Sequence, residues 1–380
     1  MQYFVTGILQ SFGLCGLRND LIHLVAFRPP SATYELRLRK QNNHKNLKKM
    51  RKNSSDKIQV TDQSIKSDLQ INKENHSQYI NKRRRNIRNF EEYPEYPEYD
   101  FIKLSDKSTD ENEDYVVRSD ICSVTAYFIS LKKNKQMACI YLNRNSEQII
   151  LFSHGNACDL GMILDKLLKF VQHTNTSVFA YEYSGYGQSD GISNDINVIR
   201  NIYAAYTFLI HQLGYKPTQI IVYGYSIGSG PSITLASNSQ FPIGGLIIQS
   251  GFSSGLRMIS IQIDQTPFYD MFPNIDRIQF VSCPVFIMHG ANDKVISEQH
   301  AKLLAEKTKN LYELWIPHNI GHCNMESDAL NRELYFQKIK KFIQYIQIEN
   351  LSIPDLILKN TAISDGKTPS TSHLYQTKIF

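Results

Sequence analysis

No run of eighteen or more apolar residues occurs in this 380-residue chain, so no segment reads as a helix spanning a bilayer. The six cysteines, Cys15, Cys122, Cys139, Cys158, Cys283 and Cys323, show no C-x-x-C spacing, and most sit in or beside apolar runs. That pattern argues against a disulfide framework or a zinc site and for buried thiols in a reducing compartment. The N-terminus lacks the basic region and small-residue cleavage site of a secretory signal, which makes a cytosolic setting the expectation. A large excess of one charge is also missing: 42 Lys+Arg against 36 Asp+Glu leave a formal +6. The charge is uneven, however. Sixteen Lys/Arg and four Asp/Glu fall between Arg37 and Arg88, a net +12 that leaves about −6 for the remainder. The chain is a weakly acidic body carrying a basic segment. An apolar fraction of 42% excludes wholesale disorder.

Residues 1–27 are apolar and punctuated by glycine, and Pro29-Pro30 closes them. From about Leu38 to Asn89 the sequence is rich in Asn, Lys, Ser, Gln and Arg, too polar to offset its ordering entropy. An extended Glu-Tyr-Pro repeat over Glu92–Tyr99 follows. From about Val116 to Asn350, strands alternate with helices. Val124–Leu131 and Gln136–Leu142 read as a hairpin pair. Gln148–Ser153, Ser177–Tyr183, Gln219–Tyr223, Gly245–Gln249, Pro284–Met288 and Tyr312–Ile316 read as further strands. Asp159–Thr174, Asn194–Leu213, Glu298–Lys309 and Ala329–Ile348 read as helices. This alternation predicts a mostly parallel sheet covered by helices on both faces, with chemistry at the carboxyl ends of its strands. The last thirty residues read as a loose polar tail.

G-x-S-x-G occurs three times, around Ser189, Ser226 and Ser253. A nucleophile elbow needs a buried strand before it and a helix after it, with glycines leaving room for close backbone approach. Ser189 sits between a Gly-rich loop and a turn cluster. Ser253 follows a strand but precedes an irregular, proline-containing stretch. Only Ser226 follows a strand, Ile220–Tyr223, and precedes a helix-compatible run, Ile227–Ala236. Its hydroxyl needs a base, and the base an orienting acid. Asp293, in the loop after one strand, and His322, in the loop after the last, follow in that order. His318 competes with His322 but lacks the preceding glycine. An oxyanion needs two backbone N–H donors. Ile227, after the serine, is one candidate; Asn156, in the turn His154-Gly155-Asn156-Ala157, is the other. His154 itself reads as structural. No metal or organic cofactor is indicated.

The segments Phe152–Ala157, Tyr183–Gly187, Gly224–Gly228, Phe272–Asp276, His289–Ile296 and Gly321–Asn324 together resemble the α/β-hydrolase domain-containing 17 family. Leu24–Pro30 with Thr33-Tyr34 is similar to that family's opening segment. The resemblance spans about residues 120–345 and implies an α/β-hydrolase fold with a short cap between strands 6 and 7. It also implies a membrane-associated serine hydrolase removing palmitoyl groups from protein cysteines, with Ser226 as nucleophile, His322 as base and Asp293 as its acid. Two departures stand out. Tyr225 occupies a position that is usually Gln in the family, and only Cys15 stands where the family has a cysteine cluster that is itself palmitoylated. One acyl chain anchors weakly, and the basic run could add attraction to anionic lipid. Nucleic acid is not an expected partner, since no stacking platform accompanies the charge.

The expected division is a membrane-association segment at 1–36, a basic disordered linker at 37–115, the hydrolase domain at 116–350 and a tail at 351–380. Expected substrates are S-palmitoylated proteins, met at the cytoplasmic face of plasma or endosomal membranes. Phe268, Tyr269, Met271 and Phe272 are the candidate acyl-channel lining within a cap over Gly251–Phe280. The rival readings are an esterase or lipase acting on glycerolipids or small esters, and an inactive hydrolase-fold binding module.

Overall fold

The computed structural model describes residues 26–39, 96–103 and 115–362, with backbone alone at 115–116 and 350–362. Its elements in chain order begin with strands β1 (Tyr34–Leu38), β2 (Tyr99–Lys103), β3 (Tyr115–Val116), β4 (Ser123–Ser130), β5 (Gln136–Asn143) and β6 (Ile149–Ser153). Helix α1 (Leu160–Thr174), β7 (Ser177–Tyr181), α2 (Asp195–His211), β8 (Ile220–Tyr225), α3 (Ser229–Ala236) and β9 (Gly245–Gln249) follow. Then come α4 (Asn274–Arg277), β10 (Val285–Met288), α5 (Gln299–Lys307), β11 (Leu311–Trp315) and α6 (Arg332–Ala362).

The sheet order is β1-β2-β4-β5-β7-β6-β8-β9-β10-β11, with β3 on β2. All neighbours from β7 to β11 run parallel. The β1–β5 side is antiparallel, and β5 joins it to β7. Buried runs such as Ile-Ile-Leu-Phe-Ser in β6 are what a parallel strand covered on both faces requires. Successive side chains then serve different cores. In β8, Ile220 and Val222 join α2, α3 and α5 in one cluster. Ile221 and Tyr223 face the other way, into a cluster with α1 and α6.

Helix starts follow from side-chain caps. Asp159 accepts the Met162 amide at 2.9 Å and Asn194 the Asn197 amide at 2.8 Å, satisfying donors that the first helical turn leaves open. Asn175, at φ 54°, ends α1 in the left-handed conformation that terminates helices.

Two expected boundaries need correction. The sheet does not begin at 116: β1 and β2 pair in register, and Tyr34 and Phe101 are buried and stacked at 4.6 Å. A few buried aromatic and aliphatic side chains suffice to extend an existing sheet, although their polar surroundings hide them from a composition count. The expected tail is also shortened, since α6 carries on to Ala362. Cys15 and nearly all of the basic run lie outside the described residues. Among the described residues, no helix is long and apolar enough to cross a membrane.

Candidate active site

Strand β8 delivers Ser226 onto a tight turn at φ 55°, a region that costs an L-residue strain. Contacts on either side enforce the turn. A Cβ at Gly228 would lie 2.2 Å from the Ser153 carbonyl oxygen of β6, and one at Gly224 2.7 Å from the Gly228 oxygen. The glycines therefore let β8 turn hard against β6 and α3, and the serine side chain is left at the carboxyl end of the sheet.

His322 Nε2 lies 3.0 Å from Ser226 Oγ, and its Nδ1 lies 2.7 Å from Asp293 Oδ2. Asp293 is held from the other side, where Oδ1 accepts the Val295 and Ile296 amides at 2.8 Å each. Burial pushes this carboxyl up. Hydrogen bonds from His289, His322 and the Ile296 amide, with the His322 charge, outweigh burial and hold it well below the usual carboxylate range. It is therefore ionised and accepting at neutral pH. The loops carrying Asp293 and His322 interlock: a Cβ at Gly290 would strike the Ile320 oxygen at 2.3 Å, and the Asn292 amide donates to that oxygen at 2.8 Å. An acid that fixes the imidazole tautomer, with the imidazole facing a hydroxyl, suits proton removal during attack on an acyl carbon.

Tyr225 links this loop pair to the turn after β6. Its hydroxyl donates to the His322 carbonyl oxygen at 3.0 Å, and burial keeps that hydroxyl protonated. Its ring lies 4.3 Å beneath the Lys166 ammonium, which pairs with Glu326 at 2.5 Å. The same ring fills the space beside Gly155, where a Cβ would approach Tyr225 Cε1 to 2.8 Å and Ser226 Cβ to 3.7 Å. The turn bearing Asn156 is thus directly against Ser226, and Ile227 follows the serine in the elbow itself.

Residues 26–34 strap that turn down. The Asn156 side chain donates to the Ala26 oxygen at 2.8 Å and accepts from the Arg28 amide at 3.0 Å and the Tyr186 hydroxyl at 2.7 Å. Asp159 accepts from the Thr33 amide and hydroxyl at 2.7 and 2.6 Å, and Tyr34 donates to buried Glu182 at 2.9 Å. Glu182 lies 2.9 Å from the equally buried His154. Burial would lower the His154 pKa, but Cys158 and Glu182 together raise it, so His154 is a structural ion-pair partner beneath the turn. Sequence reasoning missed Asp159, Glu182 and Tyr186. The one signal that the sequence offers for them is the Arg28-Pro29-Pro30 to Thr33-Tyr34 stretch, which lies inside the expected membrane-association segment.

The competing residues lie elsewhere. Ser189 is buried, and its hydroxyl accepts the Ala138 amide at 2.9 Å. Ser253 is buried against His300 Nδ1 at 2.8 Å, and burial lowers that histidine to about 4. Both hydroxyls are held in buried hydrogen bonds away from the His322–Asp293 pair. His318 is exposed on the surface. Of the expected channel lining, Phe272 is core, wedged against Phe27, Phe252 and Gly230, whereas Phe268 is 71% exposed. No group of three or more candidate metal ligands occurs among the described residues.

A family model described as Chlamydia CHLPS protein (DUF818) matches residues 136–238. The human α/β hydrolase domain-containing protein 17B is 32% identical over 234 residues, 61% of this chain and 78% of that protein. The mouse 17C protein is 33% identical over 229 residues, 60% of this chain and 69% of that one. Among solved structures, the Pyrococcus furiosus esterase Pf2001 superposes with a TM-score of 0.51 at 16% identity, covering 60% of this chain and 97% of the other. That last likeness is one of fold alone.

Proposed function

The chain belongs to the α/β-hydrolase domain-containing protein 17 family, and from that premise we propose a serine hydrolase that removes palmitoyl and similar long-chain acyl groups from protein cysteines. Ser226 Oγ attacks the thioester carbonyl as His322 Nε2 takes its proton, and Asp293 stabilises the imidazolium. The backbone N–H groups of Asn156 and Ile227 receive the oxyanion. Collapse breaks the C–S bond, and the cysteine leaves with the proton returned by His322. Water, deprotonated by the same imidazole, then splits acyl-Ser226 into fatty acid and free serine.

The observation that carries this reading is the continuous hydrogen-bonded line from Ser226 through His322 to Asp293. Family membership supports the thioester substrate, because the same three side chains would hydrolyse an oxyester equally well. Association with the cytoplasmic face of plasma or endosomal membranes belongs to the same proposal, with Cys15 as acyl site and the basic run attracted to anionic lipid. The test is a substrate panel of palmitoyl-cysteine peptides against glycerides of the same chain length. Higher kcat/KM on the peptides is expected. A clear preference for glycerides would overturn the substrate and leave a hydrolase.

A further inference from the structure

Between the β4–β5 turn and the first turns of α2 lies a cavity of about 310 Å³ that takes no part in the site at Ser226. Its wall carries Lys132, Lys133, Lys135 and Arg200 with Asn197 and Asn201, and no carboxylate lines it among the described residues. Lys133 and Asn134 stand at φ 61° and 58°, two successive strained residues in the turn that presents the lysines. Lys135 lies along the rim: a Cβ on Gly191, itself at φ 104°, would be 3.4 Å from the Lys135 ammonium. Deeper in, Asn201 Oδ1 accepts the Ser184 amide at 2.9 Å and the Ser184 hydroxyl at 3.1 Å. Its Nδ2, fully buried, has no acceptor among the described residues. Buried amide donors are normally paired, and each exception calls for an explanation.

We infer that this cavity binds a phosphate-bearing ligand. A concave wall of one charge sign concentrates potential at its centre. Lysine and arginine are the usual partners of phosphate, and a phosphate presents several strong acceptor oxygens at once. Asn201, sealed behind the wall, holds the lining residue Ser184 in place beneath the cationic rim. The phosphate could come from a lipid headgroup or from a soluble phosphate ester. The cavity opens at the same end of the sheet as Ser226, since Cys139 near the start of β5 pairs with Tyr181 at the end of β7. A headgroup held there would turn that end of the sheet toward the bilayer.

The test compares the full-length chain with K133E/K135E and with Asn201→Leu, thermal melts confirming that each variant folds. All three keep the basic run of 37–88, so its contribution cancels. The probes are inorganic phosphate, inositol trisphosphate, and phosphatidylcholine vesicles with and without phosphatidylinositol bisphosphate. The double variant is expected to bind about tenfold more weakly, and Asn201→Leu to show a smaller loss in the same direction. Loss confined to the soluble probes identifies a soluble ester, whereas loss that extends to the phosphoinositide vesicles identifies a headgroup. Binding of every probe equal to wild type in the folded K133E/K135E variant overturns the inference.

Discussion

Replacing Gly155 by alanine adds one methyl group and should cripple the enzyme. Gly155 shows no left-handed backbone, so the effect is contact alone. The new carbon would sit 2.8 and 2.9 Å from two Tyr225 ring atoms, against an optimum of about 3.5–4.0 Å for carbon pairs. The ring must retreat by roughly 0.7 Å or more to restore that spacing. It is not free to do so: its hydroxyl is bonded to the His322 carbonyl oxygen and its face is covered by Lys166. Overpacking of this kind costs about 1–3 kcal/mol. Because His322 moves with the ring, the 3.0 Å Ser226–His322 contact lengthens. A misplacement of about 1 Å can cost about 10²-fold in rate, so kcat on a short-chain chromogenic ester should fall about 10–100-fold with KM little changed. Tyr225→Ala removes the obstacle, and in the double variant Gly155→Ala should cost much less, a coupling of about 1 kcal/mol or more. Gly155→Ala with wild-type kcat and melting temperature, or strict additivity in the cycle, would refute this reasoning.

Two further outcomes follow from the same geometry. Asn156→Ala cuts the strap from Ala26 and Arg28; kcat should drop about tenfold, as expected for a loosened oxyanion donor, and amide exchange over residues 28–34 should quicken. Asp293→Asn should lower kcat by about 10⁴-fold through loss of the tautomer lock. It should also change the pH dependence of stability: the Asp293 carboxyl is depressed in the folded state, so its contribution is complete above its ordinary value of about 3.9 and is lost as pH falls below that. The gap in melting temperature between wild type and Asp293→Asn should accordingly narrow from pH 7 toward pH 3.

The parallel half of the fold was legible because β6, β8, β9 and β10 are uninterrupted apolar runs, and the expected ends fall within a residue or two of those observed. The strand-then-helix context also picked out Ser226 from three identical motifs, because a buried strand and small residues at Gly224 and Gly228 are local features. What could not be read was anything that depends on distant segments meeting. Tyr34 and Phe101 become core only because β1 and β2 lie side by side at the sheet edge, with a long polar stretch between them in sequence. Glu182 falls near the end of the expected strand Ser177–Tyr183 with nothing local to mark it, and its task is set by His154 and Tyr34 on other elements. Phe272 looked like channel lining because cap position and core position share the same composition.

The account depends first on which hydroxyl attacks. Labelling the full-length protein with a fluorophosphonate probe addresses that directly, since the reagent bonds only to an activated serine. Labelling should be present in wild type, Ser189→Ala and Ser253→Ala and absent in Ser226→Ala. Persistent labelling of a folded Ser226→Ala protein, or none in wild type, would contradict the account.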